Sequence, residues 1–84
     1  MNILVTGGSG FIGRNIVKLL KGDGNTVATL DIRDKNSSAD YHIMSDVRNI
    51  HTVQSACKGI DYVFHLAAEL RRLSLKTLLE KAMV

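Results

Sequence analysis

The sequence predicts an open α/β fold, a parallel sheet of about four strands flanked by helices. Three observations carry that expectation. Short apolar or β-branched runs alternate with a stretch of helical periodicity, turn residues punctuate the changes, and a glycine cluster stands directly between the first run and the first helical stripe. Elements alternating at this length call for parallel strands joined by crossovers.

Asn2 to Thr6 is an apolar run stopped by glycine, the pattern of a buried strand. Ile12, Ile16, Leu19 and Leu20 then fall at i, i+4, i+7 and i+8, which predicts an amphipathic helix terminated by Gly22. "TVATLDI", Thr26 to Ile32, reads as a second strand entered through the tight turn "GDGN". Arg33 to Asp40 is polar and unpatterned, a surface loop, and Tyr41 to Met44 supplies a brief third strand. Asn49 is placed to cap a helix running to about Cys57, with Lys58 and Gly59 closing it. "DYVFHLAA" is a fourth strand, and the helix formers from Glu69 onward predict a terminal helix.

With 84 residues, 45% hydrophobic and 23% charged, the chain has room for one domain with a packed core. Cys57 is the only cysteine, which excludes an internal disulfide and a cysteine-based zinc site and fits a reducing, cytoplasmic location. The first apolar run stops at Val5 and the longest later one is interrupted by His65, so neither a secretory leader nor a membrane span is expected. A formal charge of +3, with Arg14, Lys18 and Lys21 on one helix face, reads as a solvated surface. Two tyrosines and two phenylalanines are too few for a nucleic-acid surface.

The glycines point to chemistry. Gly8, Gly10 and Gly13 satisfy G-x-G-x-x-G, and Gly7, Gly10 and Gly13 satisfy G-x-x-G-x-x-G, both between the first strand and the first helix. Such a turn lets the main chain approach a pyrophosphate while the helix N-terminus offers free N–H groups. Asp31 ends the second strand 18 residues after Gly13, near the offset of about 20 expected for the acid that binds adenine-ribose hydroxyls. A carboxylate there favours NAD and repels a 2′-phosphate. Arg33 is within reach of such a phosphate, so NADP stays open as the less favoured cofactor.

"VTGGSGFIG", "LDIR", "DVRN" and "HLAAE" occur in the order found in the extended short-chain dehydrogenase/reductases, and the chain resembles their NAD-dependent epimerase/dehydratases, which act on nucleotide sugars. The likeness covers about Met1 to Glu69. It implies a single partial N-terminal NAD(P)-binding domain over residues 1–84, a Rossmann-like sheet truncated relative to the full fold. It further implies that Gly7, Gly10 and Gly13 with Phe11 and Ile12 line the pyrophosphate, that Asp31 holds the adenine ribose, that Asp46 and Val47 contact adenine, and that Leu66, Ala67 and Ala68 border the middle of the cofactor.

The family's catalytic base is a tyrosine in Tyr-x-x-x-Lys. Here Tyr41 is followed at that spacing by Ser45 and Tyr62 by Leu66, so no catalytic residue is assigned. After Glu69 the likeness falters, and "LKTLLEKAMV" looks like a later family helix reached through a shortened loop. His42, His51 and His65 show no metal-ligand spacing; His65 reads as a hydrogen-bonded core or strand-end histidine, and Cys57 as a small apolar residue. The sequence therefore predicts a segment that holds the ADP part of NAD without catalysing alone. The alternatives are a non-catalytic interaction module with an empty nucleotide site and an enzyme completed by another chain. A strand order of 3-2-1-4 would leave the fourth strand at an edge, which predicts self-association through that edge or the terminal helix.

Overall fold

The computed structural model describes residues 1–67. In chain order these form β1 (Asn2–Thr6), α1 (Phe11–Gly22), β2 (Thr26–Asp31), β3 (Tyr41–Met44), α2 (Ile50–Ala56) and β4 (Tyr62–His65). The four strands make one parallel sheet in the order β3-β2-β1-β4, the Rossmann-like arrangement expected. The chain runs outward from β1 through β2 to β3, then crosses to the other side of β1 for β4. The reversal point of such a sheet is where ligands bind, outside the carboxyl ends of the strands. Ala68 and the terminal helix expected from Glu69 lie outside the described residues.

β1 is central, and its alternating side chains feed two cores. Ile3 and Val5 pack with Val17, Val27 and Ala39 on the α1 face. Leu4 packs with Leu30, Val47 and Val53 on the α2 face. Covering the sheet on both sides explains why β1 reads as a continuous apolar run rather than an alternating one.

Two details of α1 differ from expectation. The helix buries Gly13 and Val17, with Ile16 and Leu20 packed beside them, while Ile12 and Leu19 are 63% and 71% exposed. The apolar periodicity gives the element but misplaces its inner face by about one residue, because the helix start packs on the Gly7–Gly8 turn through a glycine that carries no hydrophobic signal. Gly22 is the last helical residue rather than the terminator. The helix closes at Asp23, whose N–H donates to the Leu19 and Leu20 carbonyls, and the chain reverses at Gly24, φ +84°. β2 ends at Asp31 instead of Ile32, and β4 spans only Tyr62–His65, leaving Leu66 and Ala67 of the expected strand outside it, at the cleft. Asn49 caps α2, its side chain accepting from the Thr52 N–H at 3.2 Å.

α1 meets the turn after β1 through Gly13. A Cβ on Gly13 would collide with the Gly7 carbonyl oxygen and come within 2.8 Å of the Gly8 Cα, both main-chain atoms with no rotamer to yield. Gly22 has nothing within 4 Å of the same position. The two glycines of one helix should therefore respond oppositely to alanine. Gly13→Ala should destabilise by about 1–3 kcal/mol through overpacking, and Gly22→Ala should stabilise by about 0.5–1 kcal/mol through backbone entropy. Urea unfolding of the two variants checks this, and shifts of the same sign would contradict the packing described.

Candidate functional site

Every loop that follows a strand contributes to one cleft of about 750 Å³, within the size range of small-ligand and cofactor sites. Its lining comes from the glycine turn and start of α1 after β1, from Asp31, Ile32 and Arg33 at the end of β2, from Ser45 to Arg48 after β3, and from Leu66 and Ala67 after β4. Gly7, Gly10, Phe11, Ile12, Gly13, Asp31, Arg33, Asp46, Val47, Leu66 and Ala67 thus stand around the same space. Ala68 is outside the described residues. Ile32, Ser45 and Arg48 line it as well, beyond the residues that the sequence points to. Arg48 carried a usable signal, since Asp46-Val47-Arg48 repeats the Asp-x-Arg spacing of Asp31-Ile32-Arg33.

The glycine turn is built for close approach. Gly7 has φ +73°, donates its N–H to the Leu30 carbonyl at 2.8 Å, and leaves no room for a Cβ, which would lie 2.8 Å from the Ala67 nitrogen. The turn then delivers Gly10 as the N-cap of α1. No side chain caps the helix and its first turn carries no acidic residue. The leading N–H groups of a helix have no intrahelical acceptor, so this terminus presents positive potential and free donors to the cleft.

Asp31 closes the other side. It is 5% exposed, and its carboxylate takes four donors. Oδ1 accepts from the Arg33 N–H at 2.9 Å and from Arg33 Nε at 3.1 Å; Oδ2 accepts from the Ser9 N–H at 3.1 Å and from Arg33 Nη2 at 3.2 Å. Burial pushes its pKa up, but the hydrogen bonds and the charge of Arg33 together outweigh that and hold it below the ordinary 3.8. The acid is therefore charged at neutral pH. Ser9 ties the glycine turn to the loop after β2 a second time, donating its hydroxyl to the Asp34 carbonyl at 2.6 Å.

After β3, Asp46 is held by Arg48 in the same manner, the Nη2 to Oδ2 distance being 2.6 Å. The side-chain hydrogen bond from Arg48 leads in bringing the Asp46 pKa to about 2. After β4, the wall is set by Thr6. Its hydroxyl oxygen accepts from the Leu66 and Ala67 N–H groups at 3.1 and 3.3 Å, which leaves its own proton to donate to His65 Nδ1 at 2.7 Å. His65 is thereby a strand-end histidine neutral at Nδ1, and burial pushes its pKa below 6.5. Cys57 is half-buried, with its thiol pKa pushed up by burial, unlike a reactive cysteine. Among the described residues no three His, Cys, Asp or Glu side chains gather as a metal site.

The profile of the NAD dependent epimerase/dehydratase family matches residues 3–76. The chain belongs to that family. What it carries is the family's Rossmann region. An uncharacterized membrane protein of Methanocaldococcus jannaschii is 41% identical over 76 residues, covering 79% of this chain and 23% of that protein. A 3-beta-hydroxysteroid dehydrogenase of Mycolicibacterium neoaurum is 39% identical over 69 residues, covering 79% of this chain and 19% of that protein. The solved structure of Thermus thermophilus UDP-glucose 4-epimerase in complex with NAD is similar at TM-score 0.69 and 34% identity, covering 82% of this chain and 24% of that one. The chain thus spans a quarter or less of the length of these relatives. No helix among the described residues is long and apolar enough to cross a membrane.

The His65 arrangement has a pH signature. The fold favours neutral His65, so its contribution to stability is complete above pH 6.5, the unfolded value, and is lost as the pH falls through the depressed folded value. His65→Asn retains an acceptor for Thr6 but does not titrate. Its stability should fall less than the wild type's between pH 7 and pH 5 in chemical denaturation, and parallel slopes would show that His65 is not the linked group.

Proposed function

We propose that this chain is the dinucleotide-holding segment of a nucleotide-sugar epimerase/dehydratase, that it binds the ADP part of NAD, and that the 84 residues do not catalyse alone. The observation that carries the reading is the opposition, across one cleft, of an uncapped helix N-terminus and a buried, ionised Asp31. The first offers donors to a pyrophosphate, and the second is the carboxylate that ribose hydroxyls would engage in exchange for the Arg33 side chain. At Gly10 a Cβ would lie 3.2 Å from the cleft-lining Arg33 Nη2 and 3.4 Å from the Gly7 carbonyl oxygen, so the glycine keeps the cleft floor at the level of the main chain.

In this reading Gly7, Gly10, Gly13, Phe11 and Ile12 surround the pyrophosphate, Asp31 orients the adenine ribose, Asp46 and Val47 border adenine, and Leu66, Ala67 and Ala68 flank the centre of the cofactor. When bound, NAD supplies a hydride acceptor. The chain's own residues bind and orient it, and the Asp31 charge favours NAD over NADP. The Thermus epimerase supports a nucleotide sugar as the substrate of the whole enzyme. The steroid dehydrogenase marks the competing substrate class.

Isothermal titration of the 84-residue chain with NAD, ADP-ribose and AMP tests the reading. The assigned residues all serve the adenosine and pyrophosphate, so ADP-ribose should bind within about 1 kcal/mol of NAD, because a hydrated nicotinamide adds little burial. NAD binding tenfold or more tighter would reveal a nicotinamide pocket and reopen catalysis. No binding of any of the three would leave the interaction module with an empty site as the better reading.

A further inference from the structure

Among the described residues β4 has a strand on one side only. It pairs with β1, and its outer edge is open. The Leu66 N–H donates to the Thr6 carbonyl, and a parallel ladder takes the main-chain groups of alternate residues. Tyr62 and Phe64 therefore turn theirs toward β1, while Val63 and His65 turn theirs outward. An edge of this kind is a template for another strand.

The strand is symmetric in kind about Val63, with Tyr62 and Phe64 on either side and Asp61 and His65 beyond them. Laid antiparallel on a second copy about a two-fold axis at Val63, the two Val63 residues exchange their outward N–H and C=O groups, each Tyr62 stands opposite a Phe64, and no like charges meet. Aromatic pairs placed in this way stabilise strand contacts. Both rings lie on the α1 face, where Phe64 packs on the core around Ile3 and Val5 and Tyr62, 5.2 Å from it, is 55% exposed. The neighbouring flank of α1 is apolar too. Lys21 Nζ pairs with Asp40, just ahead of β3, at 2.8 Å, which turns the Lys21 flank toward β3. Ile12, Ile16 and Leu19 stand on the opposite flank, toward β4, and Ile12 and Leu19 are exposed there. β3, the other edge of the sheet, carries one aromatic residue, Tyr41, and has no such symmetry.

We propose that the outer edge of β4 is an interface with a second copy of this chain: the two β4 strands pair antiparallel about Val63 and join two sheets into one, with both pairs of aromatic rings and both apolar α1 flanks on a common face. An open edge alone sets neither partner nor register; the symmetry of the strand sets both. The pairing is independent of the dinucleotide reading. Because the strands run antiparallel, the two clefts lie at opposite ends of the joined sheet and both stay open.

Sedimentation over a concentration series of the wild type, Tyr62→Lys and Val63→Pro tests the interface. The wild-type average mass should rise toward that of a dimer. Tyr62→Lys removes the aromatic pairs, Val63→Pro removes the N–H that only the second copy would use, and each should lower the association constant at least about tenfold. Tyr62 is exposed, so Tyr62→Lys should keep the wild-type circular dichroism and carries the test should Val63→Pro fail to fold. Register is read by cross-linking in a Cys57→Ser background. There Val63→Cys should form an intermolecular disulfide on mild oxidation, because hydrogen-bonded antiparallel partners hold their Cα atoms about 5.5 Å apart, and Tyr41→Cys should form one far more slowly. A wild type that stays monomeric throughout, association untouched by Tyr62→Lys, or equal cross-linking rates at positions 63 and 41 overturns the proposal.

Discussion

The close approach of α1 to the end of β1 is the constraint on which the rest depends. Gly13 sits against the Gly7 carbonyl at a distance that admits no side chain, and Gly7 in turn abuts the Ala67 main chain after β4. These contacts seat the helix N-terminus over the reversal point of the sheet. They also draw the β4 wall against the turn, where the Thr6 hydroxyl can accept both Leu66 and Ala67 N–H groups. A bulkier residue at either glycine would displace the helix from β1 and open the wall at once. Packing of the core and shape of the cleft are therefore one requirement.

The charge layout follows from that geometry. An N-terminus without an acidic residue or a side-chain cap leaves its first donors to whatever enters the cleft, and Asp31 on β2 lines the same cleft. Ser9 links the two by giving its N–H to Asp31 and its hydroxyl to the Asp34 carbonyl. Burying a carboxylate is costly unless it is paired and hydrogen-bonded, and Asp31 is stable in place because the turn and Arg33 together fill its lone pairs.

Most of this was legible in the sequence because its signals are local. A stopped apolar run and a glycine spacing lie within a few residues and an acid follows at a set offset, which points to the turn and the end of β2, while the lining residues after β3 and β4 came from the family resemblance. What the sequence concealed was contact across the turn. The inner face of α1 was misplaced because Gly13 contributes no hydrophobicity, although it is the point of closest packing. Ile12 and Leu19, apolar and in register with the stripe, are exposed instead. Ser9 gave no signal either, since its role depends on a loop more than twenty residues away reaching back to it.

The two Asp-x-Arg pairs show how position decides what a motif does. In each, the arginine at the second following residue gives its main-chain N–H and its guanidinium to the aspartate that precedes it, just past a strand. Asp46 holds its arginine at the surface, with the aspartate side chain 38% exposed, and an ion pair in water contributes little to stability. Asp31 receives one donor more from across the glycine turn and is buried by it. The same local turn is a strand-end clamp after β3 and, after β2, the junction between helix N-terminus and sheet. The difference lies in which loop faces it, and that is fixed by β2 being the neighbour of β1.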